Sequence, residues 1–408
     1  MSLTVRVLLA LVAGFLLGLL LVEMSPRGAE LAGQVLTPVG TIFVNLIRMT
    51  AIPLVATMLV ASLGAMSAPG GLTRVTLQAA LVSVVLVAVA SVSSVLVAAP
   101  VLAQIGVDAD AAASLRAAVA PSAGAPATQS PGVAQWFVEL VPQNVVRAAA
   151  DGAMLPVILF AVIFGLALGQ VADDRRTSVL RVAEGVVEAM QQMVRWILQL
   201  APIGVFALAV PLSARFGTSF AGAALAYVGL VVVMTIVAVA VMLYPLGMIR
   251  ARMPFAAFVA FLAPAQAIAF ASRSSLAALP VAIASAEREG LSPGLSRFVL
   301  PLAVSVFHFG AAVAQTVGVL FLANLFGVPL SGTALASVVV AVVLATYAVP
   351  SIPGGSIITL VPVLTAAGVP VDGIGILLAL DTIPDMFRTA ANLTGAMTVV
   401  AVLPGERR

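Results

Sequence analysis

The 408-residue sequence has no cysteine, no lysine and a single histidine, and only 9% of its residues are charged. Without cysteine the chain has neither disulfide bonds nor thiol chemistry. A soluble enzyme of this length would carry far more charge, because charged residues make up about a quarter of a typical globular domain. The sequence also lacks a basic patch interleaved with aromatic residues, so we do not expect it to bind nucleic acid.

Apolar residues are abundant instead. They make up 62% of the chain, and the mean hydropathy is +1.20. Apolar runs of about 20 residues, the length that a helix needs to cross a bilayer, recur along the whole sequence. A β-barrel would show short segments of alternating polarity. The composition therefore predicts a polytopic membrane protein built from helices, and the first run, which has no Ala-x-Ala cleavage pattern, is expected to be a retained spanning helix.

The distribution of arginine predicts the orientation. The first spans are expected near residues 5–24, 39–66, 75–105, 144–171, 183–212 and 219–248. Arginines on one side of these spans are Arg6, Arg74, Arg175, Arg176, Arg181, Arg250 and Arg252, and the other side has Arg27, Arg116 and Arg215. The bias places the N-terminus in the cytoplasm, and continuing the count places the C-terminal arginines there too. We therefore expect a protein of the cell (inner) membrane with both termini cytoplasmic.

Near the end of the chain, the apolar stretch from Ile374 to Leu403 carries four polar residues on one helical face. Their spacing of four, three and four residues places them on one side of an α-helix: Asp381, Asp385, Arg388 and Asn392. A charge at the centre of a membrane helix costs about 2.5 to 3.5 kcal/mol on insertion scales, so three charges must face partners, water or a ligand. Such a stripe is typical of a transport site.

Two apolar segments in the second half of the chain are interrupted. Residues 254–285 contain Ser272-Arg273-Ser274-Ser275, and a later segment contains Pro350-Ser351-Ile352-Pro353-Gly354-Gly355-Ser356. Proline has no N–H and glycine loosens the backbone, so no continuous helix passes through the second interruption. We predict two re-entrant hairpins, each followed by an intact helix, as secondary transporters use to build a central site. A pair of kinked core helices is the alternative.

Four segments carry a resemblance to a known family. They are Arg48-Met49-Thr50-Ala51-Ile52-Pro53, Ala201-Pro202-Ile203-Gly204-Val205-Phe206-Ala207, Ala271-Ser272-Arg273-Ser274-Ser275-Leu276-Ala277-Ala278-Leu279-Pro280 and Asp385-Met386-Phe387-Arg388-Thr389-Ala390-Ala391-Asn392-Leu393-Thr394-Gly395. The third resembles the first hairpin tip, and the fourth the last helix, of the dicarboxylate/amino acid:cation symporters, the glutamate transporter family. The resemblance covers essentially the whole chain.

The resemblance implies a homotrimer of all-α protomers with eight transmembrane helices, two re-entrant helical hairpins and inverted repeats. In each protomer a scaffold would hold a transport domain that moves like an elevator. The implied division is a scaffold at 1–74 and 144–218, an extracytoplasmic loop at 106–143, and a transport domain at 75–105 and 219–408, with hairpin 1 at 254–285, the seventh span at 294–325, hairpin 2 at 333–368 and the eighth span at 374–403.

Carried over by position, the resemblance also implies a site for an acidic amino acid. Arg388 would pair with the side-chain carboxylate of the substrate through its planar fork. Asp385 would accept the α-ammonium group, which favours an amino acid over a plain dicarboxylate, and Arg273 would pair with Asp385. Asn392 and Ser275 would hold the α-carboxylate. The remaining implied contacts are Thr389, Ser274, Ile352, Ser356 and Ala311. The alternative is that the charged residues form only a structural ion network.

The seventh span departs from the family at its ion sites. Most members carry Asn-Met-Asp-Gly-Thr, with sodium ligands at Asn and Asp, where this chain has Phe307-His308-Phe309-Gly310-Ala311. A further sodium-binding aspartate of the last helix is replaced by Ala396. The usual ligands of the third span align with Ser83, Leu86 and Val87. Hard cations need about six oxygen ligands, so we expect sodium coupling to be weakened or lost. Only a third site, of hairpin carbonyls with Ser305 and Thr346 nearby, could survive.

Another group must then drive transport, or transport is passive. His308 is the only histidine in the sequence and can carry a proton near neutral pH. A neutral imidazole packed between helices is the alternative. Asp381 is the second candidate carrier, because the sequence offers no obvious cation for it. Phe307 and Phe309 are interpreted as space-filling replacements for an ion site and not as an aromatic cage for a cation.

Together these patterns predict a secondary active transporter of acidic amino acids that does not depend on sodium and is proton-coupled, or a facilitator or exchanger. A sodium-coupled symporter that uses the residual site, a substrate receptor that does not transport, and an anion channel remain as alternatives. The sequence shows neither a nucleophile with its base and orienting group nor a metal-ligand cluster, so we predict no enzyme, no metal and no cofactor.

Overall fold

The computed structural model describes residues 3–66, 74–104, 138, 141–151, 153–216, 219–292, 295–350 and 354–403. The predicted loop at 106–143 lies mostly outside these residues. Ile352, at the tip of hairpin 2, and the C-terminal arginines also lie outside them.

The described residues form eighteen α-helices. In chain order they are α1 (Leu3–Met24), α2 (Pro26–Met66), α3 (Arg74–Ala103), α4 (Val145–Ala150), α5 (Met154–Leu168), α6 (Asp173–Gln199), α7 (Ala201–Phe216), α8 (Ser219–Ala238), α9 (Tyr244–Ala251), α10 (Phe255–Ser272), α11 (Ser275–Arg288), α12 (Leu300–Val306), α13 (Phe309–Leu325), α14 (Gly332–Thr346), α15 (Gly355–Ile358), α16 (Val361–Ala366), α17 (Ile374–Leu380) and α18 (Thr382–Val402). A π-helical turn, Val239–Leu243, joins α8 to α9, and a second, Leu295–Val299, leads into α12.

Long apolar helices dominate this part of the chain. Six are long and apolar enough to cross a membrane, or seven if the bent pair α6 and α7 counts as one span. No strand occurs among the described residues. The prediction of an all-α polytopic membrane protein is confirmed, whereas the number of eight spans stays a prediction.

The predicted fifth span, 183–212, is not one straight helix. α6 and α7 meet at 54°, with Leu200 between them. Pro202 lies in the first turn of α7 and has no N–H to donate to the carbonyl of Leu198, so the helical ladder is interrupted there. The ladder resumes where the amide of Gly204 donates to the carbonyl of Leu200.

The helices pack in two groups. α1, α2, α5, α6 and α7 pack mainly against one another, with α2 at the centre. α3 and the helices from α8 onward pack around α13 and α18, and every residue of α13 except Asn324 is buried. The short helix α17 contacts α1, α2 and α7 and so lies between the groups. The identification of these groups as a scaffold and a moving transport domain stays a prediction.

Each predicted hairpin has two helical arms that pack against each other. α10 ends at Ser272, Arg273 has a left-handed backbone with φ of 53°, and the hydroxyl of Ser274 caps α11. In the second hairpin, α14 packs against α16, and Gly354 has φ of 75° just before α15. Among the described residues, the backbone therefore leaves the helical conformation at Arg273 in the first hairpin and at Gly354 in the second.

The prediction that an intact helix follows each hairpin is wrong. The seventh span breaks at Phe307 and His308, which separate α12 from α13. The released carbonyl of Val306 accepts a hydrogen bond from Nδ1 of His308 at 3.2 Å. The eighth span turns at Asp381, between α17 and α18, because Pro384 cannot donate the helical hydrogen bond that would join the two pieces.

Candidate functional site

A small cavity lies where both hairpin tips, the break in the seventh span and α18 meet. Its volume is about 20 Å³, which is room for roughly one water molecule. The residues that line it are Arg273, Ser275, His308, Val349, Pro350, Ser356, Asp385, Arg388, Thr389 and Asn392. Seven of these ten are predicted substrate contacts, and His308 is a predicted proton carrier. The structure thus brings residues from four separate segments into one place.

Arg388 is the central charge of the cavity and is only 2% exposed. Its Nη1 and Nη2 donate to the two carboxylate oxygens of Asp381 at 2.7 and 2.8 Å. The interpretation that Asp381 has no cation of its own is therefore wrong. Helical side chains lean toward the N-terminus, so the long Arg388 side chain reaches back over two turns. Bidentate pairs of this kind are among the strongest hydrogen-bonded contacts in proteins.

Asp385 is shared between two arginines. Its Oδ1 accepts a hydrogen bond from Nη2 of Arg388 at 2.5 Å, and its Oδ2 lies 3.9 Å from Nε of Arg273. Oδ2 has no hydrogen-bond partner among the described residues. The two arginines and the two aspartates, Asp381 and Asp385, together carry no net charge.

Asn392 ties the broken seventh span to α18. Its Oδ1 accepts a hydrogen bond from the amide of Ala311 at 3.0 Å, one of the first-turn amides that no helical carbonyl can satisfy. Close packing supports this link, because a Cβ at Gly310 would lie 2.4 Å from the carbonyl oxygen of Arg388.

His308 connects the break in the seventh span to hairpin 2. Its Nδ1 lies 3.0 Å from the carbonyl oxygen of Thr346 and 3.2 Å from that of Val306. Carbonyl oxygens only accept hydrogen bonds, so Nδ1 carries the hydrogen and Nε2 is an acceptor. Nε2 is buried and has no hydrogen-bond partner in the described part of the chain.

Aromatic rings fill the region where the resembled family binds sodium. Phe307 and Phe309 are 2% and 0% exposed, and their ring centroids lie 6.4 Å apart. A Cβ at Gly395 would lie 2.7 Å from the ring of Phe307, and the adjacent Ala396 is fully buried. This packing supports space filling over a cage for a cation. We call Phe307, Phe309 and Ala396 the apolar plug.

Several predicted residues do not line the cavity. Ser274 caps α11, and the side chain of Ala311 lies outside the cavity lining. Ser305 is exposed and donates to the carbonyl of Pro301 at 2.9 Å, so its hydroxyl is used within its own helix. The hydroxyl of Thr346 donates to a carbonyl of α14. Asp381 reaches the cavity only through Arg388, and Ile352 lies outside the described residues.

Sequence reasoning missed Gln315. Its Nε2 donates to the carbonyl of Ser356 at 2.9 Å and to the hydroxyl of Thr359 at 2.8 Å, so it fastens hairpin 2 to α13. An amide in an otherwise apolar spanning helix is a signal that could have found it, since such side chains hydrogen-bond across helices. Val349 and Pro350, which also line the cavity, carry no comparable polar signal.

Buried charges at a junction of interrupted membrane helices define the class of protein as a secondary transporter. The chain matches the sodium:dicarboxylate symporter family over residues 3–404 and belongs to that family. Members of the family are transporters, which confirms that the chain is not an enzyme.

Known relatives match over most of their length. The chain is 29% identical to the proton/glutamate-aspartate symporter of Escherichia coli, over 100% of this chain and 93% of that protein. It is 27% identical to a proton/sodium-glutamate symport protein of Bacillus caldotenax, over 94% and 90% respectively. It is also 25% identical to a C4-dicarboxylate transport protein of Laribacter hongkongensis, over 98% and 89%. Their names differ in both cation and substrate, so family membership alone fixes neither.

Proposed function

We propose that the protein transports acidic amino acids across the cytoplasmic (inner) membrane without sodium, by an elevator movement within a homotrimer. The proposal rests on the contrast between two neighbouring parts of one site, the charged cavity and the apolar plug. The charged residues that suit an acidic amino acid meet at the cavity, while the apolar plug occupies the adjoining ion region. The homotrimer and the elevator movement come from the family resemblance.

The unpaired atoms of the cavity favour an amino acid as the substrate. Oδ2 of Asp385, Oγ of Ser356 and Nε2 of His308 are all buried without a hydrogen-bond partner among the described residues. An unpaired buried polar atom costs about 1–3 kcal/mol, so a ligand that bonds all three relieves that cost. A carboxylate oxygen suits an ammonium group, which an amino acid has and a C4-dicarboxylate lacks. The name of the Escherichia coli relative, a glutamate-aspartate symporter, agrees with this choice.

Substrate entry requires the cavity to widen. A volume of about 20 Å³ holds roughly one water molecule and is far too small for an amino acid. Arg388 already donates to two carboxylates, so the carboxylate of the substrate would take the place of Asp385 on Nη2. Asp381 would keep its bidentate hold and position the guanidinium. Asp385 would then be released to meet the ammonium group.

The charge balance of the site favours a proton as the coupling ion. Arg273, Arg388, Asp381 and Asp385 sum to zero, and an acidic amino acid brings one net negative charge. Carrying an uncompensated charge through the membrane is costly. One added proton would neutralise the net negative charge of the site with its substrate bound. His308 can take that proton at Nε2 and donate it to a substrate carboxylate, while Nδ1 stays on the carbonyl of Thr346.

Sodium-coupled symport is the second candidate, and the name of the Bacillus caldotenax relative favours it. It would have to use the residual site near Ser305 and Thr346. Both hydroxyl groups donate to carbonyls of their own helices, at 2.9 and 2.8 Å, and their oxygens keep their lone pairs, but they supply only two of the roughly six oxygen ligands that a hard cation needs. This candidate therefore has weaker support than proton coupling.

Uptake into liposomes tests the proposal. Purified protein is reconstituted, and uptake of labelled aspartate is measured under an inward proton gradient, an inward sodium gradient, or neither. We expect concentrative uptake with the proton gradient and no gain from sodium. Liposomes with the Arg388→Ala variant give the background. Concentrative uptake driven by sodium alone would contradict the proposal, and uptake that only equilibrates would identify a facilitator.

A further inference from the structure

A second, much larger cavity lies at one end of the helix bundle. Its volume is about 1110 Å³, above the 300–1,000 Å³ or so that is common for pockets that bind small molecules. Its lining comes from the first turns of α3, the end of α9 and the last residues of α18. Because these helices begin or end there, the cavity lies at the edge of the apolar bundle, where lipid headgroups meet the protein.

The cavity combines an apolar wall with two positive charges. Leu81, Val85 and Leu246 contribute to the wall, and Arg250 and Arg252 lie at its rim. Both arginines are exposed. Within the described residues, neither guanidinium has an ion pair or a hydrogen bond, in contrast to Arg388 and Arg273 at the substrate cavity. The rim therefore offers two uncommitted cations beside an apolar surface.

Arg252 ends α9 in a left-handed cap, with its backbone N–H donating to the carbonyl of Met248. Arg252 and Arg273, both with φ of 53°, are the two non-glycine residues with positive φ in the described chain. Glycine is the usual residue at such a helix end, because a side chain is strained there. Arg273 lies at the substrate cavity, and Arg252 has the same conformation at this second cavity.

The side-chain oxygen of Gln78 is a hydrogen-bond acceptor at this cavity. It lines the same cavity, and its Oε1 is buried without a hydrogen-bond partner among the described residues. This atom can only accept a hydrogen bond. A ligand that carries a hydroxyl or another donor as well as a negative charge would satisfy this atom once the side chain turns toward the cavity.

We propose that this cavity binds an anionic phospholipid of the phosphatidylglycerol class. The phosphate lies between Arg250 and Arg252, whose planar guanidinium groups can each donate two hydrogen bonds to its oxygens. A hydroxyl of the glycerol headgroup donates to Oε1 of Gln78, and an acyl chain follows the apolar wall. Basic pockets between membrane helices are known to hold such headgroups. The other occupant to test is residues 404–408, which follow Leu403 at the cavity; they carry two arginines against one glutamate, so their net charge has the same sign as that of the rim.

A titration with short-chain lipids tests the proposal independently of transport. Dioctanoyl-phosphatidylglycerol is added to the purified full-length protein in detergent, and binding is followed by native mass spectrometry, with dioctanoyl-phosphatidylcholine as the uncharged comparison. We expect the Arg250→Gln/Arg252→Gln variant to bind phosphatidylglycerol about thirtyfold more weakly. The Arg250→Lys/Arg252→Lys variant keeps the charge and is expected to retain most of the affinity.

A matched control removes two arginines elsewhere. Arg175 and Arg181 are exposed on α6 and line neither cavity, so the Arg175→Gln/Arg181→Gln variant should bind phosphatidylglycerol as the unmodified protein does. Equal losses in the two glutamine variants would overturn the proposal, as would equal binding of both lipids by the unmodified protein. Each variant is checked for an unchanged melting temperature in detergent.

Two further variants test the headgroup and the alternative occupant. The Gln78→Leu variant should lose the preference for phosphatidylglycerol over phosphatidic acid, which has no glycerol hydroxyl; an unchanged preference contradicts the role of Gln78. Because the chain has no cysteine, a Val82→Cys/Glu406→Cys pair reports on the chain end, since Val82 lines the cavity and Gln78 stays in place. We expect no disulfide while the lipid is bound. A disulfide that forms equally with and without the lipid would show that the chain's own end fills the cavity.

Discussion

The substrate cavity and the apolar plug lie side by side on the same helices, yet they are built by opposite rules. Around the cavity each buried charge has an oppositely charged neighbour, as Arg388 has in Asp381 and Asp385. In the plug, Phe307 and Phe309 are 2% and 0% exposed and bring no polar side-chain atom, and a void of about 30 Å³ remains beside Phe307. The comparison teaches that the buried charges of the cavity are paired with opposite charges, whereas the neighbouring region is packed with apolar side chains, because unpaired charges and voids are both costly.

The two regions also differ in what they allow. The cavity keeps three unpaired polar atoms, so it can gain hydrogen bonds from a ligand. The plug has nothing to offer a hard cation, which needs oxygen ligands. On the proposed function, a transporter with this pair of regions binds its substrate without the ion. Four substitutions test the comparison, in order of the expected effect.

Arg388→Ala should have the largest effect, because it leaves Asp381 and Asp385 buried without their cation. Removing one partner of a buried ion pair costs about 3–5 kcal/mol. We expect a matching loss in the free energy of unfolding and no aspartate uptake, measured by thermal unfolding in detergent and in liposomes. Arg297→Ala is the control, since Arg297 lies on the surface and pairs with Glu287 there. If the Arg388→Ala variant still takes up aspartate, Arg388, Asp381 and Asp385 form only a structural ion network and do not bind the substrate.

Phe309→Ala tests whether the plug fills space. Removing a fully buried phenylalanine ring costs about 3–5 kcal/mol, and Phe309 is 0% exposed. We expect the free energy of unfolding, measured by chemical or thermal unfolding, to fall by an amount in this range. Phe309→Leu should lower it much less. Aspartate binding should stay independent of sodium in both variants. A Phe309→Ala protein as stable as the original would show that the ring does not fill the region.

Gly310→Ala tests the close contact that joins the two regions. The added Cβ would lie 2.4 Å from the carbonyl oxygen of Arg388, so α13 and α18 must separate. Overpacking of this kind costs about 1–3 kcal/mol, and aspartate uptake should fall with it. The matched control is Gly229→Ala, where no heavy atom lies within 4 Å of the new Cβ. Equal melting temperatures for the two variants would speak against the contact.

His308→Met should alter the coupling above all, and its cost in stability is confined to the carbonyls of Val306 and Thr346, which lose the hydrogen bond from Nδ1. The variant keeps the volume at the break but has no group to protonate. We expect that a proton gradient no longer raises aspartate uptake, while aspartate still binds. The comparison variant is Asp381→Asn. If only that variant loses its response to the proton gradient, Asp381 and not His308 carries the proton.

The sequence predicts the membrane class, the hairpin positions and the chemistry of the stripe on α18, because hydropathy and helical spacing are local signals. It does not predict the pair between Asp381 and Arg388, since seven residues separate them and the pair depends on how far one side chain reaches. The break at Phe307 and His308 is also invisible in the sequence, because neither residue forces a helix to end. Tertiary contacts decide it: Asn392 caps the new helix end from α18.

The central claim is that the substrate binds without sodium. The most direct measurement is the affinity of the purified protein for aspartate by titration calorimetry, in sodium chloride and in choline chloride at equal ionic strength. Coupled ligands typically change each other's affinity about 5–150-fold. We predict dissociation constants that agree within about twofold, because the apolar plug leaves sodium no site that touches the substrate. A tightening of about tenfold or more in sodium would contradict the account.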